Sequence, residues 1–240
     1  MKSKETKDLQ MPPSFESDQH QAIAKTVGSI REKHDREWRS FAAAWNALKH
    51  RFRSAIEADA TFSKSITRTK TPPPEERYLQ EDALFHFFAS TCSSIELFYF
   101  ACYCIGTIID PEAFPMAEPE SLRVYPRHVS IAYRKRFPGA ELSSVLKTCL
   151  SGSEFRTVVE LRNFLSHRGS LPRLSHLGGD KDGSTFVPTN PQGLADSWVY
   201  DLEVSESSTS TSRNWLESTL SVLIRELHSF VGRELMNLAA

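Results

Sequence analysis

Three residues able to do chemistry stand within six positions of each other: Arg162, Asn163 and His167, in the stretch Phe155-Arg-Thr-Val-Val-Glu-Leu-Arg-Asn-Phe-Leu-Ser-His-Arg-Gly169. A histidine titrates near neutrality, so it can take a proton from a hydroxyl nucleophile and return one to a leaving oxygen. An arginine can grip a phosphate and offset charge as it builds in a transition state. An asparagine can orient the imidazole or bind a phosphate oxygen. Together these groups suit scission of a phosphodiester by its own ribose 2′-hydroxyl, a reaction that requires no metal. Ser166 adjoins His167, but neighbours on a helix diverge by about 100°, which excludes a serine–histidine couple within this element. No glycine-rich phosphate loop, H-E-x-x-H or G-x-S-x-G elbow occurs elsewhere in the chain.

The element that must position them is a helix. Ser153 is suited to cap its start and Gly169 to stop it, with Pro172 just beyond. Phe155, Val158, Val159, Leu161 and Leu165 form an apolar stripe at helical spacing. At about 100° per residue Arg162 falls inside that stripe, with Ser166 roughly 40°, Asn163 about 100° and His167 about 140° round from it. An arginine aimed at a core needs an anion, because a stranded buried charge is too costly to keep. Glu96, set among Cys92, Tyr99, Phe100 and Tyr103, is the best candidate. The competing possibilities are that Glu96 turns to solvent at an open edge and that Glu81, Asp82 or a bound phosphate serves Arg162.

The run Arg162-Asn163-Phe164-Leu165-Ser166-His167 resembles the motif of the HEPN superfamily: an arginine, usually followed by a polar residue, and a histidine four to six positions further along one helix. The resemblance covers the helical part of the chain, about residues 75–235, while its motif-specific part is 162–167. It implies an all-α, HEPN-like helical bundle. It also implies a metal-independent endoribonuclease working as a homodimer on RNA, with Arg162, Asn163 and His167 catalytic and Glu96 and Ser166 supporting, often as a toxin with an antitoxin partner or in defence against phage. Other members are non-catalytic nucleotide-binding or assembly modules, and that alternative stays open here. Gly169 stands where some toxin-type members carry a tyrosine two positions after the histidine, so regulation through that tyrosine is not expected.

Further candidates for RNA contact lie nearby. Arg127, Arg134 and Arg136 are interleaved with Tyr133, and Arg168 follows the motif histidine. Such a mixture can grip a phosphate chain and stack a base. An ordinary solvated helix face explains the same pattern.

Composition sets outer limits. A chain of 240 residues can bury one substantial core. Its formal net charge of −1 carries no whole-chain footprint for nucleic acid, though a local basic pocket remains compatible with it. Cys92, Cys102, Cys104 and Cys149 sit among apolar residues without C-x-x-C spacing, which suits buried thiols better than disulfides or zinc. No cofactor or metal is expected. The first residues lack the apolar core of a signal peptide, and the chain reads as cytoplasmic with no membrane association.

Residues 1–17 are polar and proline-interrupted, and are expected to form a disordered tail ahead of a single domain at 18–237. Apolar residues from Ile23 to Ile56 recur every three or four positions, describing one long helix over 20–56 with a possible break at Gly28; His34 lies on its stripe. A linker at 59–74 precedes a helix over 75–109 that is apolar nearly all round. Its length raises a membrane span, but polar interruptions and the absence of basic flanks favour the buried centre of a bundle. Short helices follow from Pro126 to Pro138 and over 140–150, then the motif helix at 153–168. Residues 170–207 form an irregular insertion, in which Thr185–Val187 pairs with Trp198–Tyr200 if any hairpin forms. Its Gly178–Gly183 stretch lacks the ligand alternation of a calcium loop and is a turn. A Ser/Thr run from Ser205 caps the last helix, over 212–236.

Overall fold

The sequence periodicities become seven helices in a computed structural model that describes residues 9–65, 73–116, 124–167, 173–176, 183–186 and 206–235. In chain order these are α1 (Ser17–Gly28), α2 (Asp35–Ser65), α3 (Pro74–Ile109), α4 (Pro126–Arg136), α5 (Glu141–Ser151), α6 (Ser153–His167) and α7 (Glu206–Glu234). The architecture is an all-α bundle. The described strands, β1 (Arg173–His176) and β2 (Gly183–Phe186), form an antiparallel pair inside the insertion, with Arg173 opposite Phe186 and His176 opposite Gly183. Phe186 therefore pairs with Arg173; its expected partner Trp198–Tyr200 and the 178–182 stretch read as a turn lie outside the described residues.

α2 and α3 run antiparallel and pack along most of their length. Trp45 near the start of α2 meets Phe98 in the later part of α3, while Gln80 early in α3 donates to the carbonyl of Ser65 at the end of α2. Length and composition alone would let α3 cross a membrane, but 67% of its most apolar stretch is buried within the protein. It is the central helix, touched by α2, α4, α6 and α7. On α7, Leu216, Leu220, Leu223, Leu227 and Phe230 are all buried, so the heptad-like repeat is the face that closes the bundle.

Several boundaries differ from the sequence expectation. The break raised at Gly28 is present, and it leaves His34 half-buried in the turn between α1 and α2 rather than on a helical stripe. α2 continues past Ile56 to Ser65, because Ala55, Asp59 and Phe62 extend the buried stripe by two turns; much of the expected linker is therefore helix. The expected tail is shorter than 17 residues: Phe15 is buried against His20 and Phe52, and Ser14 donates to Glu217 on α7 at 2.8 Å. α7 starts at Glu206 rather than 212, so most of the Ser/Thr run lies within its first turns, with Thr209 and Ser212 buried; Ser205 lies outside the described residues. Ser153 is the first residue of α6, and its hydroxyl donates to the Glu154 carboxylate at 3.0 Å rather than capping the helix.

Two polar clasps tie the helices together, and neither was foreseen. His20 on α1 and Trp45 on α2 exchange hydrogen bonds: the imidazole Nε2 donates to the Trp45 carbonyl at 3.0 Å, and the indole Nε1 donates to the His20 carbonyl at 3.0 Å. Their rings stack at 4.4 Å. Burial holds the His20 pKa down, to about 4, with Lys49 adding to the effect against the bond to Trp45. The second clasp joins Arg213 on α7 to the wholly buried Asp59 on α2 at 2.7 Å.

Candidate functional site

The core face of α6 is made by Val158, Leu161 and Phe164. On a wheel that face centres near Leu161, so Arg162 lies at its margin, about 100° away. The expectation that Arg162 points into the core is thus corrected. Phe155, Val159 and Arg162 instead share the adjoining stripe, which lines a groove shared with α3, α4 and α5. α6 is held in place by Cys92 of α3, whose thiol lies 3.7 Å from the Val158 carbonyl. α5 is pinned by Tyr99, whose hydroxyl donates to the Leu146 carbonyl at 2.6 Å.

Arg162 does meet Glu96: its Nη2 lies 3.3 Å from the carboxylate. The pair is not deeply buried, however, since the two side chains are 30% and 44% exposed. A single long contact between partly solvated groups contributes about 0–1 kcal/mol, not the several kcal/mol of a buried pair. Arg162 Nε is buried and has no hydrogen-bond partner among the described residues. The guanidinium therefore keeps unused donor capacity. The Cys92 thiol beneath it is pushed up to about 12 by burial, although Arg162 acts in the opposite sense.

The groove has a volume of about 660 Å³, within the range of small-molecule sites. Arg127 and Arg134 come to it from α4, Lys147 from α5 and Arg162 from α6, with Glu96 as its acidic member. No ion pair among the described residues involves Arg127, Arg134 or Lys147. Tyr125, 59% exposed, and Ile131 stand on the α4 side, facing the apolar surface of Leu150, Phe155 and Val159. Paired cations beside an exposed aromatic ring and an apolar wall can hold a phosphate and a flat heterocycle together.

The other sequence candidates divide. Asn163, Ser166 and His167 are all exposed on α6, and none lines the groove. Asn163 and His167 face away from Arg162, as the helical spacing demands. Tyr133 is not available to a base: it is wholly buried among Phe114, Phe137 and Phe230, and its hydroxyl donates to the Cys102 carbonyl at 2.7 Å. Arg136 is engaged by Asp110 at the end of α3 and lies over the Phe137 ring. Its hydrogen bond is the main reason that the Asp110 carboxyl sits below its ordinary pKa. Arg168 lies outside the described residues. Lys147 was missed by sequence reasoning; its signal was a cation on the polar side of α5, beside Ser151 and one turn from Leu150.

All four cysteines are buried free thiols. Burial raises Cys104 to about 12 and Cys149 to about 11, so they are poor nucleophiles. No three His, Cys, Asp or Glu side chains among the described residues gather as a metal site. No family model matches this sequence, and no curated protein or solved structure is detectably similar to it.

Proposed function

We propose that this protein is a HEPN-type endoribonuclease that cuts single-stranded RNA without a metal. The ribose 2′-oxygen attacks the adjacent phosphorus, its proton passes to a neutral His167, and the 5′-oxygen leaves with a proton from an imidazolium. The products are a 2′,3′-cyclic phosphate and a 5′-hydroxyl. Arg162 binds the phosphate and offsets its charge, while Asn163 orients the imidazole. The observation that supports this reading is the groove, lined among the described residues by four cations and Tyr125, into which the motif arginine opens. Because His167 lies about 140° round the helix from Arg162, one chain does not bring both to one face. A homodimer with facing α6 helices completes the site, each chain supplying what the other lacks. A toxin or phage-defence role with an antitoxin partner belongs to the same proposal.

A second reading is favoured by a specific fact: His167 does not line the groove. In that reading the protein binds RNA or nucleotide without turnover. The test is cleavage of a panel of single-stranded RNAs in the presence of a chelator, with the ends identified by mass. The ribonuclease predicts cyclic phosphate ends, and His167→Ala abolishes them while RNA affinity changes less than about twofold, since the imidazole mainly transfers protons. Binding with no cleavage by a well-folded dimer would overturn the ribonuclease in favour of the module.

A further inference from the structure

Among the described residues the groove holds one carboxylate beside its cations, and that carboxylate rests on the motif arginine. A groove built only to attract anions gains nothing from an acid there. The pair's geometry is also that of a loose occupant. Glu96 makes one contact at 3.3 Å with Nη2, where a well-made arginine–carboxylate pair is bidentate and shorter. Arg162 Nε stays unpartnered among the described residues, and both side chains keep solvent contact.

A phosphate fits the same position better. It can accept parallel N–H bonds from one guanidinium in a groove that Arg127, Arg134 and Lys147 also line, whereas Glu96 is tethered to α3. The remaining wall, with Tyr125, Ile131 and Phe155, suits a base or ribose. We propose that Glu96 is the resident counter-anion of a nucleotide groove, and that the phosphate of an incoming nucleotide unit replaces it on Arg162. Glu96 thus keeps the arginine neutralised until a ligand arrives, and weakens binding by competing for it. This rests on the assignment of the groove to RNA made above. The nucleotide unit comes from a free mononucleotide or from a single-stranded RNA, which share the same chemistry.

The test measures binding of a fluorescein-labelled 2′-O-methyl RNA decamer, which lacks the attacking hydroxyl, to the full chain by anisotropy. Glu96→Gln should bind about fivefold tighter than the parent, as expected for removing one negative charge about 4 Å from the phosphate in a well-solvated groove. Arg134→Glu should bind about tenfold weaker, and the salt dependence should flatten as phosphate contacts are lost. Thermal melts of each variant confirm folding. Unlabelled AMP that competes identifies a mononucleotide as a ligand; competition by RNA alone identifies the polymer, and either result is consistent with the replacement. If parent and Glu96→Gln both fail to bind, the groove assignment falls together with the RNA reading. If the parent binds but Glu96→Gln binds equally or more weakly, only the replacement of Glu96 is overturned. Binding unaffected by Arg134→Glu would place the ligand elsewhere and overturn the proposal.

Discussion

Acid should loosen this bundle through one histidine. His20 is 4% exposed, stacked on Trp45 and bonded to it in both directions, and its pKa is lowered from 6.5 to about 4. The Trp45 carbonyl can only accept, so the neutral ring carries its proton on Nε2, and acid adds the second proton to Nδ1 inside the core. Between pH 6.5 and about 4 the unfolded chain binds more protons at this site than the folded one, so stability rises with pH. The contribution is fully present above pH 6.5, falls by about 1.4 kcal/mol per pH unit below it, and levels off below about pH 4. From pH 7.5 to 4.5 the loss is about 2.5 kcal/mol. His20→Gln is the control: its amide can still donate to the Trp45 carbonyl, but it does not titrate. Urea unfolding followed by tryptophan fluorescence at both pH values gives the comparison. The advantage of the parent over His20→Gln should shrink by about 2.5 kcal/mol at pH 4.5. An advantage that stays constant within about 0.5 kcal/mol, or imidazole NMR shifts showing a protonated His20 in the folded state at pH 5.5, would refute the account.

Arg213→Ala should cost on the order of 3–5 kcal/mol in chemical denaturation, because it strands the carboxylate of Asp59, which has no exposure and already has one oxygen unpaired among the described residues. The double replacement with Asp59→Ala should cost less than the sum of the singles; strict additivity would show that the pair is not coupled. Gly106→Ala should destabilise by about 1–3 kcal/mol despite alanine's better helix propensity, since the added methyl would lie 2.6 Å from the Phe114 ring, itself wedged between Tyr103 and Tyr133. An unchanged or raised Tm would show that Phe114 can move aside.

Helix periodicity made most of this bundle legible from the sequence. Apolar residues at three- and four-residue spacing located α2, α6 and α7, since burying an apolar stripe is what makes a long helix stable in water. The Leu216–Phe230 repeat and the all-round apolarity of α3 correctly marked a closing helix and a central one. Pairing Glu96 with Arg162 was also within reach, because a charge on an apolar stripe demands a partner. How deep that partner sits was not. The core face of α6 is rotated to Leu161, which a wheel of one helix cannot reveal without its neighbours, and this moved Arg162 from core to groove. Tyr133 and Arg136 illustrate the same limit: an aromatic among cations has one composition whether it is stacked in a core or waiting for a base. Only the packing of α4 on α3 and α7 assigns Tyr133 to the core and Arg136 to Asp110. The clasps between His20 and Trp45 and between Asp59 and Arg213 join residues 25 and 154 positions apart. Local sequence determines which faces are apolar, but the meeting of distant polar groups depends on helix rotation and crossing, which tertiary packing decides.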